Sequence, residues 1–348
     1  DVMAVTDLAL IRDASIGMMP YDGPMQQYEP DSTRVVDAAW NRPIDRLPLY
    51  EHAVSSEVLG ALLDRDLGSL LSGDERDREE GFRVSSRYLA SLGYDVFPYE
   101  GCITELVQGG QGLMGRAGPI VRDRHDLEAY PWDELPNRYF ARFGPSFDAL
   151  ERALPSGMKA VAGVGNGPFE IAQDFVPLTD LAYLEVDDPD TFASLWRRIG
   201  EAMYAIWARF LERYGDTFCV CRVGDDFGFK TSLLMRPATF RDHILPQYRR
   251  IVELVHAQRK PFLLHSCGAI WEVMDDLIDE AGIDAKHSNE DAIAPFSRWI
   301  ERYGERIGNF GGVDMNVLCE EDEAGVRAYV RDVLESVRGC RGDPIGAG

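Results

Sequence analysis

No stretch of the 348-residue sequence approaches the roughly 18 uninterrupted apolar residues of a membrane-spanning helix. Basic side chains are scarce: 36 Lys and Arg against 59 Asp and Glu leave a formal net charge of -23. Nucleic acids and anionic membranes both require clustered cations to neutralise phosphate, so neither is an expected partner. The 6 cysteines are too few for a disulfide scaffold. The stretch from Asp1 to Pro30 carries Asp1, Asp7 and Asp13 without a basic n-region, so no secretory signal is expected there. Reduced thiols in a cytoplasmic protein are the corresponding expectation. No G-x-G-x-x-G segment follows an early strand, which removes the simplest dinucleotide-binding reading. The glycines between Gly109 and Arg124 read as a turn-rich hairpin, because no helix follows them.

With 45% apolar and 27% charged residues, the composition is that of a globular protein. Strand-like and helical segments alternate along the chain. Strands are expected at Asp45 to Tyr50, Tyr94 to Tyr99, Lys159 to Val164, Phe218 to Val223, Pro261 to Leu264, Ile283 to Lys286, Ile307 to Phe310 and Pro344 to Ala347. Helical spacing marks Ser55 to Leu67, Asp74 to Leu92, a start near Phe169, Asp190 to Arg213, Pro237 to Gln258, Trp271 to Ala281, Pro295 to Tyr303 and Glu320 to Val337. Ser72 or Asp74 is the expected cap of the second helix. Apolar strands separated by helices imply a parallel sheet covered on both faces. Eight such units in one chain fit a single (β/α)8 TIM barrel, an α/β fold, better than an open doubly wound sheet. Residues 1–32 form an expected N-terminal helical extension and residues 33–348 the barrel. The sequence ends at Gly348, just after the eighth expected strand, so no eighth covering helix is expected within it.

In such a barrel chemistry sits at the C-terminal ends of the strands. Those ends offer Glu51 and His52, Glu100, Asn166, Asp225 and Asp226, His265 and Cys267, His287, and Asp314. A lone Asp or Asn there serves equally well as a helix cap. Two adjacent carboxylates repel, so in Asp225-Asp226 one is expected to hold a proton or to orient a ligand, unless the pair simply caps a helix. The sharpest feature is Leu264-His265-Ser266-Cys267-Gly268: an imidazole and a thiol two residues apart, just past a buried strand, suit Zn²⁺. A catalytic zinc needs a third protein ligand, for which Cys319 and Cys340 are candidates, with Glu51 or Glu100 as oxygen donors. The bland alternative is a buried thiol beside a hydrogen-bonded imidazole. Cys219 and Cys221 share one strand face but read as core, Cys102 reads as a loop thiol, and His125, His243 and His256 lie away from the strand ends.

The runs Gly224-Asp225-Asp226-Phe227-Gly228, Lys260 through His265-Ser266-Cys267-Gly268, Gly282 through His287-Ser288, Tyr303 through Ile307, and Gly311-Gly312-Val313-Asp314 together resemble the uroporphyrinogen decarboxylase superfamily. Pro43 through Leu49 looks like that superfamily's entry into its first strand, and Gly167-Pro168-Phe169-Glu170 like its third-strand exit. The resemblance runs from about residue 33 to the end. True uroporphyrinogen decarboxylases carry an Arg-Gln-Ala-Gly-Arg segment for the substrate propionates, and here Tyr50-Glu51-His52-Ala53-Val54 stands instead. The closer branch is the cobalamin-dependent (corrinoid) methyltransferases, in which H-x-C and a distant Cys bind zinc.

That resemblance implies a zinc-dependent methyltransferase, moving a methyl group between a corrinoid protein and a small thiol, methoxy or methylamine compound. His265, Cys267 and Cys319 would be the metal residues, with Cys340 or a residue beyond Gly348 as alternative third ligands. Asp225, Asp226, His287 and Asp314 would act in catalysis, and Glu51, Asn166 and Glu170 would contact substrate. No D-x-H-x-x-G motif is present, so the cobalamin would arrive on a partner protein; a homodimer is compatible with this reading. The alternatives are a carboxy-lyase acting on a small acid or tetrapyrrole, and a barrel that binds a ligand without turnover.

Overall fold

The computed structural model describes residues 28–107 and 118–337. The chain begins there with a short helix α1 (Thr33–Ala39), followed by α2 (Ser56–Leu63), α3 (Leu67–Ser72) and α4 (Glu75–Ser91). Asp64 adopts a left-handed conformation at the end of α2, which splits the single helix expected there. Asp74, not Ser72, caps α4: its carboxylate accepts from the backbone of Arg76 and Asp77, and the Asp77 side chain returns the bond to the Asp74 backbone.

From there strands and helices alternate: β1 (Val96–Cys102), α5 (Arg124–Ala129), α6 (Leu135–Ala153), β2 (Lys159–Gly165), α7 (Pro168–Phe175), α8 (Leu178–Asp187), α9 (Pro189–Tyr214), β3 (Phe218–Gly224), α10 (Leu245–Ala257), β4 (Phe262–His265), β5 (Ala285–His287), α11 (Phe296–Tyr303), β6 (Gly308–Asn309), α12 (Met315–Glu320) and α13 (Glu323–Val337). The six strands lie parallel in sequential order. Sequential parallel order requires a helical crossover between neighbours, and the crossovers carry the large apolar residues of the outer layer, Trp196, Trp207, Phe210 and Tyr248 among them.

The inner face of the sheet closes on itself. Val96, Val161, Val220, Leu263 and Ala285, one from each of β1 to β5, meet Phe310 just beyond β6 in a second core. Three valines with Leu263 and Ala285 fill the interior around which the strands curl, as in TIM-barrel architecture. Val35, Ala38 and Ala39, on one face of α1, plug the end of this interior where the strands begin.

Two expectations change. Asp45 to Tyr50 is not hydrogen-bonded into the sheet, so the first expected strand is absent. Tyr50 instead turns its ring into the barrel, edge-on to Phe310 and His287. The eighth expected strand and most of the N-terminal extension lie outside the described residues. The remaining strands and helices stand within a few residues of their expected positions. Among the described residues no helix is long and apolar enough to cross a membrane.

The α1 plug depends on one close backbone approach. A Cβ added at Gly308 would stand 2.5 Å from the Ala38 carbonyl oxygen. Gly308→Ala is expected to cost about 1–3 kcal/mol, the usual penalty for overpacking, read as a fall in the thermal midpoint. An unchanged midpoint would show that α1 does not seal the barrel.

Candidate metal centre

The strand exits are joined by backbone bonds that continue the sheet past its last paired residues. Gly167 N–H donates to Gly224 O (2.6 Å), Asp225 N–H to His265 O (2.9 Å), and Ser266 N–H to His287 O (2.8 Å). The loops after β2, β3, β4 and β5 are therefore fixed to one another, and side chains there have little freedom in position.

His265 ends β4, and its ring lies 13% exposed at the barrel mouth. Cys267 Sγ stands 3.5 Å from His265 Nε2, and Asp226 Oδ1 stands 3.7 Å from the same nitrogen. Asp226 is held by the Cys267 N–H, which donates to Oδ1 at 2.8 Å. On the other side of the ring, His265 Nδ1 lies 2.6 Å from His287 Nδ1. His52 stacks on His265 with ring centroids 3.8 Å apart. The donor atoms fall into two overlapping groups, Asp226–His265–Cys267 and His52–His265–His287.

Spacing separates these groups. Two nitrogens bound to one tetrahedral zinc at ~2.0–2.1 Å lie about 3.3 Å apart, and a nitrogen and a sulfur about 3.6 Å apart. The Nε2–Sγ distance matches such a separation and the Nε2–Oδ1 distance is a few tenths of an ångström longer, whereas the Nδ1–Nδ1 distance is that of a hydrogen bond. Asp226, His265 and Cys267 are therefore the set that one ion could draw together. His52 Nδ1 is buried without a hydrogen-bond partner and adds a further free donor beside them.

Electrostatics favour neutral imidazoles. Burial pushes His265 down to about 3, with the buried Arg222 guanidinium adding to the effect. His52 and His287 are lowered as well, again chiefly by burial. Burial pushes the Cys267 thiol up to about 12, helped by Asp226. Arg222 is 1% exposed. It donates to Glu100 Oε2 (2.8 Å), to the Tyr50 hydroxyl (2.8 Å) and to the His52 carbonyl (2.5 Å), so it fixes the backbone that carries His52.

The other expected residues divide by what they touch. Asp225 is fully buried and accepts from Phe169 N–H, Glu170 N–H and the Tyr248 hydroxyl, which makes it the clamp on the start of α7. Asp314 caps α12 and accepts from Asp291 N–H. Asn166 accepts from Thr104 and donates to Glu170, whose other carboxyl oxygen accepts from Asp226 N–H. Burial, with the Asp225 charge behind it, pushes Glu170 up to about 8. Glu51 accepts from the Tyr94 hydroxyl and is raised by burial. Cys319 is exposed on α12 and is not brought to His265 and Cys267; Cys340 lies outside the described residues. Cys219 and Cys221 are buried in the sheet, as the core reading expects.

A cavity of about 510 Å³ opens over this cluster. His265, Cys267 and His287 form its floor and Glu51 and Asp314 its sides, with Met315 and Leu318 at the rim.

A mouth lined by metal-capable side chains at the C-terminal end of a parallel α/β barrel is the arrangement of a TIM-barrel enzyme. The chain belongs to the uroporphyrinogen decarboxylase (URO-D) family, whose family model matches residues 109–343. A uroporphyrinogen decarboxylase from Pelobacter propionicus is 23% identical over 336 residues, covering 89% of this chain and 91% of that protein. The structure also resembles a methyltransferase from Methanosarcina mazei, with a TM-score of 0.69 and 18% identity over 92% of this chain and 94% of that one.

The neutral imidazoles predict a pH dependence in chelator-treated protein. Unfolded, His265 gains its proton near its usual value of 6.5; folded, only near 3. The folded state is thus undisturbed above about 6.5 and loses stability as pH falls from there toward 3. The thermal midpoint is expected to drop between about pH 7.5 and 5.5, and to drop less in His265→Gln. Equal slopes in the two proteins would contradict the neutral cluster.

Proposed function

We propose that the chain is a zinc-dependent methyltransferase that moves a methyl group between a small heteroatom substrate and a corrinoid carried by a partner protein. The observation that carries this reading is the spacing of Cys267 Sγ and Asp226 Oδ1 about His265 Nε2, with His265 and Cys267 lining an open cavity. The fold likeness to a methyltransferase supports it.

His265, Cys267 and Asp226 would hold the metal. Zinc, when bound, supplies a Lewis acid for a leaving heteroatom in one direction of transfer and lowers the pKa of an accepting thiol in the other. Cys267 must give up its proton to ligate, and burial holds that thiol near 12 in the metal-free chain, so zinc uptake is expected to release a proton and weaken as pH falls. Asp226 is kept in place by the Cys267 N–H and cannot swing away without breaking that bond. Glu51, held by a 2.6 Å bond from the Tyr94 hydroxyl, presents a polar group at the side of the cavity for substrate. Asp225, Glu170 and Asp314 act behind these groups by fixing the loops.

Purified protein is expected to carry near-stoichiometric zinc, lost in His265→Ala and Cys267→Ser and reduced in Asp226→Asn. Retention of zinc in both of the first two variants would refute the assignment. Mixed with methylcobalamin and a panel of thiols, wild-type protein is expected to change the cobalamin spectrum, and the two zinc-poor variants are not. A corrinoid spectrum that stays unchanged with every thiol, methyl ether and methylamine offered would argue against methyl transfer.

A second reading is a carboxy-lyase acting on a small acid. It is favoured by the likeness to a uroporphyrinogen decarboxylase and by Glu170, a buried carboxyl raised to about 8 and therefore able to hold a proton at neutral pH. Release of CO₂ from a carboxylic acid by chelator-treated protein would select it over methyl transfer.

A further inference from the structure

The Nδ1 atoms of His265 and His287 are 2.6 Å apart, close enough that one N–H must lie between them. A neutral imidazole carries a single N–H, so one ring donates from Nδ1 and the other accepts there. The two assignments have opposite consequences. A proton on His287 Nδ1 would place the His265 proton on Nε2, facing Cys267 and Asp226 and blocking ligation. A proton on His265 Nδ1 leaves a lone pair on Nε2, directed at those same two donors.

The surroundings select the second arrangement. The Cys267 thiol stands 3.5 Å from His265 Nε2, with Ser288 Oγ at 3.6 Å on the same sulfur; Ser288 can donate to the sulfur while the thiol proton goes to an accepting Nε2. The nearest Asp226 oxygen, at 3.7 Å, is too far to accept a hydrogen bond from an Nε2–H. His287 is in turn held in the sheet: it ends β5, its carbonyl accepts from Ser266 N–H, and the Tyr50 ring stands edge-on against it. Its ring is thus fixed independently of any metal.

We propose that His287 is a positioning residue of the metal site: its Nδ1 accepts the His265 Nδ1–H and so fixes the tautomer in which His265 Nε2 is free to ligate. Metal-bound histidines usually lean on a carboxylate or a carbonyl for this purpose, and removing such a support typically costs 10–100-fold in affinity. Here a second imidazole does it. The inference rests on the zinc reading.

The test uses substitutions that move the accepting atom. The Oδ1 of Asn can occupy the position of His Nδ1, the Gln amide reaches only to the Nε2 position, and Leu has no acceptor. His287→Asn is expected to keep wild-type zinc affinity, measured by competition with a chelating dye. His287→Gln and His287→Leu are expected to lose about 10–100-fold. Substitution with Co²⁺ should give the wild-type absorption spectrum in His287→Asn and an altered one in the other two. In metal-free wild type, long-range ¹⁵N correlation of the histidine rings should find His265 protonated at Nδ1; protonation at Nε2 overturns the proposal even if no His287 variant folds. Wild-type affinity in His287→Leu also overturns it. If His265→Ala and Cys267→Ser abolish binding while His287→Leu does not, this inference fails and the zinc reading stands. If neither of those two variants loses zinc, the zinc reading itself has failed.

Discussion

The site depends on a sheet that does not stop where its strands end. Three backbone bonds carry the pairing past β2, β3, β4 and β5, and a fourth contact, Cys267 N–H to Asp226 Oδ1, ties the loop after β4 to the loop after β3. A parallel ladder delivers neighbouring strand ends about 4.8 Å apart, and the bonded exits fix which side chains then face one another. The bonded exits bring an imidazole, a thiol and a carboxylate to within 3.7 Å across two adjacent strands. Asp225 serves the same end from behind, since its three accepted bonds fasten the start of α7 to the β3 exit.

Burial then sets the charge state. Three imidazoles in mutual contact could not all be cationic, and they stand close to a buried guanidinium that raises the cost of any added positive charge. Arg222 is tolerated because Glu100 balances it and because Tyr50 and the His52 carbonyl take its remaining hydrogen bonds. The result is a floor of neutral imidazoles, with lone pairs to offer, under an open cavity. A chain with net charge -23 thus places a local positive charge beside its site and uses it to keep histidines neutral.

The barrel was legible in the sequence because apolar strands alternate with amphipathic helices, and the strand ends could be read from the polar residues that interrupt each run. His265 and Cys267 stood out because an imidazole and a thiol two residues apart is an uncommon pair. What periodicity does not carry is which strand ends become neighbours through their loops. Asp226 read as a catalytic carboxylate and stands 3.7 Å from His265 Nε2; Cys319 read as a ligand from its place on the seventh exit loop, and it is exposed on α12. His52 was visible at an exit, but its stacking on His265 depends on Arg222, whose only signal was a charge inside a buried strand. The expected first strand carries the apolar pattern of a strand, yet Tyr50 is spent on the barrel interior and on Arg222 instead of a ladder.

Membership in the URO-D family leaves more than one chemistry open, because a barrel of this type positions residues at its mouth without dictating what they do. The donor set at the floor of the cavity is what distinguishes this chain's reading. The most direct measurement is zinc K-edge X-ray absorption on the zinc-loaded protein. The account predicts one sulfur neighbour at ~2.3 Å together with nitrogen and oxygen neighbours at ~2.0–2.2 Å. A zinc shell of nitrogen and oxygen alone, with no sulfur, would contradict it.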